Sequence, residues 1–353
     1  MSAPSLSKSN LPRWLAPLIL LGIAYGVVPF AGGSYLFEAI LTPFLILSLA
    51  GVGLNLLTGY AGQLSLGSAA FMAVGAFGAF NFNLRIQGLP IPVSIVLAGV
   101  SAALLGVAFG LPSLRLKGFY LAISTLAAQF FVQWVLTKFG WFSNNSPSGV
   151  IDAPALQVLG IHFDGPVGRY LFALTVVVVL TALVARLVKT RTGHQFIAVR
   201  DHELAARVIG VPVFRTKLLA AAISSFIIGV AGALWAFAYL RTVEVAGFNL
   251  DRSFQIVFLI IIGGLASIRG AFFGAALIVV FPLLLSRLGA FLLGGVFNSG
   301  VLEMSQHIFL GALIIAFLIA EPKGLVALWD RLTARAAALF LSQTRKANTD
   351  IVP

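Results

Sequence analysis

The chain contains no cysteine, which excludes disulfides, thiolate nucleophiles and Cys-based zinc or iron–sulfur centres. Charge is scarce too: 10% of its 353 residues are Asp, Glu, Lys or Arg, against roughly 25% in a soluble domain. A water-soluble fold of this length needs far more charge to cover its surface. With 59% hydrophobic residues and a mean hydropathy of +1.03, the chain reads as an all-α integral membrane protein. His162, His194, His202 and His307 fall into no metal-ligand spacing, so no metal site is expected. The P-loop pattern GxxxxGK(S/T) is missing, which places any use of ATP on another subunit. No Ser/His/Asp set or carboxylate pair presents itself, so the chain is read as a non-enzyme.

Ionisable residues are also missing from the middle of every apolar stretch, with Glu38 and Glu303 at predicted ends. Proton relays need such groups, so proton coupling is disfavoured. Sodium coupling through backbone carbonyls of unwound helices stays open. A path through such a chain is lined by hydroxyls, amides, backbone and apolar side chains. That suits a neutral or zwitterionic cargo with an apolar part.

What is present is a series of charge-free windows: 14–30, 39–57, 63–80, 92–111, 119–137, 170–185, 218–240, 253–268, 271–286 and 304–320. A helix needs about 20 apolar residues to cross the bilayer, so these predict a polytopic bundle of about ten spans, within eight to ten. The 63–80 window is rich in Gly and Ser and reads as broken or re-entrant; 288–302 is a candidate half-helix. Lys8 and Arg13 precede the first window without a small-x-small cleavage site, so that window is read as a retained span. The net charge of +12 sits in short loops and carries topology rather than a nucleic-acid face. The loop 186–217 holds Arg186, Lys189, Arg191, Arg200, Arg207, Arg215 and Lys217, which assigns it to the cytoplasm. Ten spans then place 112–118, Arg269 and both termini on the same side, with 81–91, 138–169, 241–252 and 287–303 outside. The implied organisation is a cytoplasmic N-terminus 1–13, a transmembrane domain 14–320 and a cytoplasmic tail 321–353. In the tail, 327–341 reads as an amphipathic surface helix.

Two segments stand out. In 55–78, Gly59 and Gly62 break a helix, and Gly67, Phe71, Gly75 and Gly78 then share one smooth helix face. Asn55, Gln63, Ser65 and Ser68 place hydrogen-bonding groups beside that break. Helix packing alone accounts for the glycines. The polar residues point instead to backbone lining a cavity, because unwound chain at membrane depth must be buried or wet. In the loop 191–211, apolar Phe196, Val199, Leu204, Val208 and Val211 recur near helical spacing between Gly193 and Gly210–Val211–Pro212. The pattern is a short amphipathic helix, either lying on lipid headgroups or docking in a groove of a soluble partner. In the docking reading Arg200, Asp201, Glu203 and Arg207 make polar contacts while Val199 and Leu204 fill the groove.

Those segments carry a resemblance. NLLTGYAGQLSLGSAAF (55–71) and TRTGHQFIAVRDHELAARVIGVPVFRTKLLAAAISSFIIGVAGAL (190–234) resemble the branched-chain amino acid ABC transporter permeases of the LivM type, as do LKGFYLAISTLA and LIIIGGLASIRGAFFGAAL. The resemblance spans roughly residues 40–320. Gly67-Ser68 departs from the Gly-His that relatives often carry, which puts a His-dependent cargo contact in doubt. The resemblance implies a type II-like importer in the bacterial inner membrane, in which this chain pairs with a LivH-like permease. Two LivG/LivF-like ATPases, which bind ATP and Mg, and a periplasmic binding protein complete it. No cofactor is expected on this chain, and the cargo is branched-chain or related amino acids. Family members for urea, amides or aromatic acids are the alternative, and a stand-alone secondary carrier is the alternative from another class. The coupling candidates are Gly193, Arg200, Asp201, Glu203, Leu204, Arg207 and Gly210; the path candidates are Asn55, Gly62, Gln63, Ser65, Gly67 and Ser68.

Overall fold

The computed structural model describes residues 15–113, 119–158, 161–293 and 324–333, with 308, 311–312, 315–316 and 319. Helices follow the apolar windows, since lipid leaves the backbone no partner but itself. They are α1 (Leu15–Gly26), α2 (Leu36–Tyr60), α3 (Ser68–Arg85), α4 (Ile91–Ser113), α5 (Phe119–Lys138) and α6 (Pro166–Val188), then α7 (Arg191–Asp201) and α8 (Glu203–Val208), and finally α9 (Val213–Leu240), α10 (Leu250–Gly263) and α11 (Ile268–Leu293). Six segments among the described residues are long and apolar enough to cross a membrane. The 63–80 window starts its helix only at Ser68, because 62–67 has no helical structure. The 253–268 window loses its last turn to a bend at 264–267, where Gly264 and Ala266 take positive φ. The 304–320 window, the 294–302 part of the half-helix, Arg115, Lys117 and residues 1–13 lie outside the described residues, so the count of ten rests partly there.

Helices α2 and α9 form the centre: their apolar windows are 83% and 72% buried, against 22% for α6 and 28% for α11. Without a hydrophobic drive between helices in lipid, close backbone approach supplies the packing. Gly75 of α3 lies against the backbone of Gly229 in α9, Gly232 against Met72, and Gly53 of α2 within 2.9 Å of Ile228 (as a built Cβ). The glycine face on 67–78 is thus largely used for helix contacts.

The loops sort into two sets. At one end Arg85 donates to the Trp141 carbonyl, Arg169 pairs with Glu38, and Ile151–Asp152 pairs antiparallel with Thr242–Val243. A small hairpin, Gln157–Val158 with Ile161–His162, lies in the same 138–169 segment. At the other end Arg200 donates to Gly59, Gln63 to Lys217, and Arg269 faces Asp330. These are the same two sets that the basic-loop asymmetry separates. Residues 325–333 are helical and place Trp329 5.5 Å from the Phe273 ring; the rest of the expected 327–341 helix lies outside the described residues.

Candidate coupling and translocation site

The basic end of the bundle brings 58–67 and 189–217 together. Helix α2 widens into π geometry at Leu56–Tyr60. Gly59 is required there, because a Cβ would strike Asn55 Oδ1 and the Ala266 backbone nitrogen. Gly62 sits at φ +69°, and a Cβ would lie 2.8 Å from Arg200 Cγ. From Gly62 the chain runs back into the bundle without helical structure as far as Ser68. Gln63 and Ser65 are buried. Gln63 Nε2 donates to the Lys217 carbonyl at 3.2 Å, and Thr58 Oγ1 donates to the Gln63 carbonyl at 3.1 Å. Ser65 Oγ accepts from the Gly67 amide at 3.4 Å, and the Leu66 amide donates to Thr125 Oγ1 at 2.9 Å. A cavity of about 30 Å³ lies between Leu57, Gln63, Ser65, Phe71, Thr125 and Ser225. That is room for a water, not for an amino acid.

The other path candidates have different surroundings. Asn55 Nδ2 donates to the Ser267 carbonyl at 2.8 Å and its Oδ1 accepts from the Ala266 amide at 2.9 Å, so it brackets the 264–267 bend. A Cβ on Gly67 would lie 2.6 Å from the Thr125 carbonyl oxygen. Ser68 Oγ is buried with no partner among the described residues.

The loop expected as one helix over 193–210 is two, broken at His202 (φ −153°, ψ 96°). The break folds Ala206 back onto Val199 and Val213 in a small separate core. Val199 is therefore unavailable to fill a partner's groove. Gly193 does not precede the helix but lies in its first turn, where a Cβ would strike the Val188 backbone; Gly210, at φ +86°, does end it. Arg200 also turns inward: Nη1 donates to the Gly59 carbonyl at 2.8 Å and Nε to Asp201 at 2.8 Å. Glu203 accepts from Lys217 Nζ at 2.7 Å and pairs with Arg207 at 3.5 Å. What faces out is Leu204, Val208 and Ile209, 74%, 87% and 74% exposed, with the half-open Arg207 beside them.

Gln129 was not singled out by the sequence, although it and Gln133 interrupt an otherwise apolar window. Its Oε1 accepts from the Ala70 amide and Ser253 Oγ, and its Nε2 donates to the Phe248 carbonyl at 2.8 Å. It ties the start of α3 to α10.

Residues 36–318 match the family described as branched-chain amino acid transport system permease component. The chain is 29% identical over 348 residues to the high-affinity branched-chain amino acid transport system permease protein LivM of Escherichia coli K12, covering 92% of this chain and 77% of that one. It is 28% identical over 280 residues to the autoinducer 2 import system permease protein LsrC of Enterobacter sp. strain 638, covering 76% and 77%. PsaBC from Streptococcus pneumoniae in complex with Fab superposes over 89% of this chain and 99% of its own, at 15% identity and a TM-score of 0.43, too loosely to argue from. With four fifths of its length inside the family match, this all-α membrane protein belongs to the branched-chain amino acid transport system permease family and is the permease subunit of an ABC importer.

Proposed function

We propose that the chain forms, with a LivH-like sister permease, the translocation path of an ATP-driven importer for branched-chain or related amino acids. Two ATPase subunits of the LivG/LivF kind, with their ATP and Mg, dock on the 191–209 loop. A periplasmic binding protein delivers cargo to the opposite face. The basic end, with 189–217, Arg269 and both termini, is cytoplasmic, as excess Lys and Arg in short loops dictates.

One observation carries this reading. The loop offers an apolar tip of Leu204, Val208 and Ile209 with Arg207, while its base is bonded to the 59–63 turn through Arg200 and Lys217. A tip shaped for a groove and a base joined to the chain break is the form a push-rod needs. A helix resting on headgroups has no use for the inward bonds.

The test is uptake into proteoliposomes holding the two permeases and the ATPases, with ATP inside and binding protein outside. Labelled leucine, isoleucine and valine should accumulate only with ATP and binding protein, and ahead of urea and benzoate. Preference for urea or benzoate would reassign the cargo within the family. Sodium-driven uptake without the ATPases would replace the importer reading by a secondary carrier.

A further inference from the structure

The opposite end of the bundle holds a cation that the proposed mechanism has not used. Arg252, in the first turn of α10, lies with its guanidinium 4.2 Å from the Trp235 ring centroid. Trp235 opens the π-helical end of α9 (Trp235–Leu240), which brings Tyr239 against it with ring centroids 4.6 Å apart. Arg252 Nη1 donates to Gln255 Oε1 at 2.6 Å. Its Nε is buried and has no partner among the described residues, and neither has the buried Trp235 Nε1. No described carboxylate lies within salt-bridge distance; the neighbouring Asp251 accepts from Asn249.

A half-buried cation with a buried, unpartnered Nε and no counter-ion among the described residues is expensive, and inside a membrane segment it points to a functional site. The guanidinium fork matches a carboxylate or a phosphate, and the nearby N-terminus of α10 favours negative charge as well. Both orphaned donors are buried, so a ligand must enter the bundle to reach them. That favours a small free molecule over a lipid phosphate or a side chain of a docked protein.

We propose that Arg252 and Trp235, flanked by Gln255 and Tyr239, form a carboxylate subsite at the outer mouth of the path, which takes the carboxylate of a small zwitterionic cargo. The assignment rests on the amino-acid reading above. It also revises the expectation of a path without charged groups, since Arg252 stands one residue outside the 253–268 window.

The experiment uses the two permeases together in phosphatidylcholine nanodiscs, without binding protein, and measures binding of leucine, isovalerate and leucinamide by radioligand and by tryptophan fluorescence. Leucine and isovalerate should bind, and leucinamide at least tenfold more weakly. Arg252→Gln and the charge-keeping Arg252→Lys should each weaken the two carboxylates by about tenfold to a hundredfold, the range for a hydrogen bond to a charged group, and leave leucinamide unchanged. Trp235→Phe, which keeps a ring and removes the N–H, should weaken them severalfold. A structural clamp would lower all three probes together, or lower Tm at an unchanged leucine-to-leucinamide ratio, and either result overturns the subsite. So would an Arg252-dependent fluorescence change on adding phosphatidylglycerol that carboxylates do not displace. Restoration of native binding in Arg252→Glu by Glu303→Arg would name an internal partner and also overturn it. Leucine import that survives Arg252→Gln with native selectivity sinks the subsite alone; Arg252-dependent isovalerate binding in a transporter that imports no leucine sinks the amino-acid reading alone.

Discussion

Replacing Arg200 by Ala removes one bond that joins the loop to the 59–63 turn. The guanidinium donates to the Gly59 carbonyl at 2.8 Å, and its side chain is 32% exposed. A hydrogen bond to a charged group contributes about 1.5–3 kcal/mol, and partial exposure places this one near about 1.5. The Arg200–Asp201 pair adds little, because Asp201 is more than half exposed and surface pairs are worth about 0–1 kcal/mol. A loss of about 1.5 kcal/mol is about tenfold in the balance between attached and detached loop. Lys217 still bonds Glu203, and its carbonyl still accepts from Gln63, so the loop stays folded. The expected phenotype is therefore uncoupling: uptake per ATP hydrolysed drops up to about tenfold while the ATPases stay bound. Gly62→Ala should do the same, by placing a methyl against Arg200 on a backbone that disfavours it. Leucine uptake and phosphate release measured in parallel on the same proteoliposomes read the ratio. A native ratio in Arg200→Ala, or release of the ATPases from it, refutes the reasoning.

Val208→Asp, which puts a charge on the exposed tip, should release the ATPases on co-purification with the permease pair intact; full retention would remove the tip from the interface. Gln63→Leu and Ser65→Val keep volume but remove hydrogen-bonding groups beside the small cavity, and should cut uptake or change cargo preference; unchanged transport in both would leave 62–67 a packing segment only. Gly75→Val should lower Tm markedly because the Gly229 backbone occupies the space, whereas Gly22→Ala, with nothing within 4 Å, should not; equal Tm values would contradict the α3–α9 contact. The chain has no native cysteine, so Asn144→Cys should label with an impermeant thiol reagent from outside and Val208→Cys only from the cytoplasm; the reverse pattern inverts the orientation.

Helices and their two ends were readable from sequence because lipid imposes a length and a charge rule on every span. The break at 59–67 was readable as well, since Gly59 and Gly62 stand where only a missing Cβ fits. Side-chain direction was not. Val199 and Leu204 look alike as apolar positions in a basic loop, yet one is buried and the other 74% exposed, because the backbone breaks at His202, a residue with no breaking propensity of its own. Asn55 looked like a path residue for the same reason: its partners lie more than 200 positions away in the 264–267 bend. Arg252 sits at the edge of an apolar window, where a long cation usually snorkels to water, and only the structure shows its guanidinium stacked on Trp235 with Nε buried.

These placements assign one role to the 59–63 turn that neither segment carries alone. Arg200 grips it from the loop through Gly59, and the Gln63 amide donates to Lys217, itself paired with Glu203. The same turn feeds the non-helical stretch whose Gln63 and Ser65 border the cavity. A displacement of the loop tip therefore has two bonded routes into 59–63, beside its packing on Val188 of α6 and Val213 of α9. With the ATPases docked as proposed, their motion would reach that cavity through these residues, which is why loosening Arg200 should separate hydrolysis from uptake rather than stop either one.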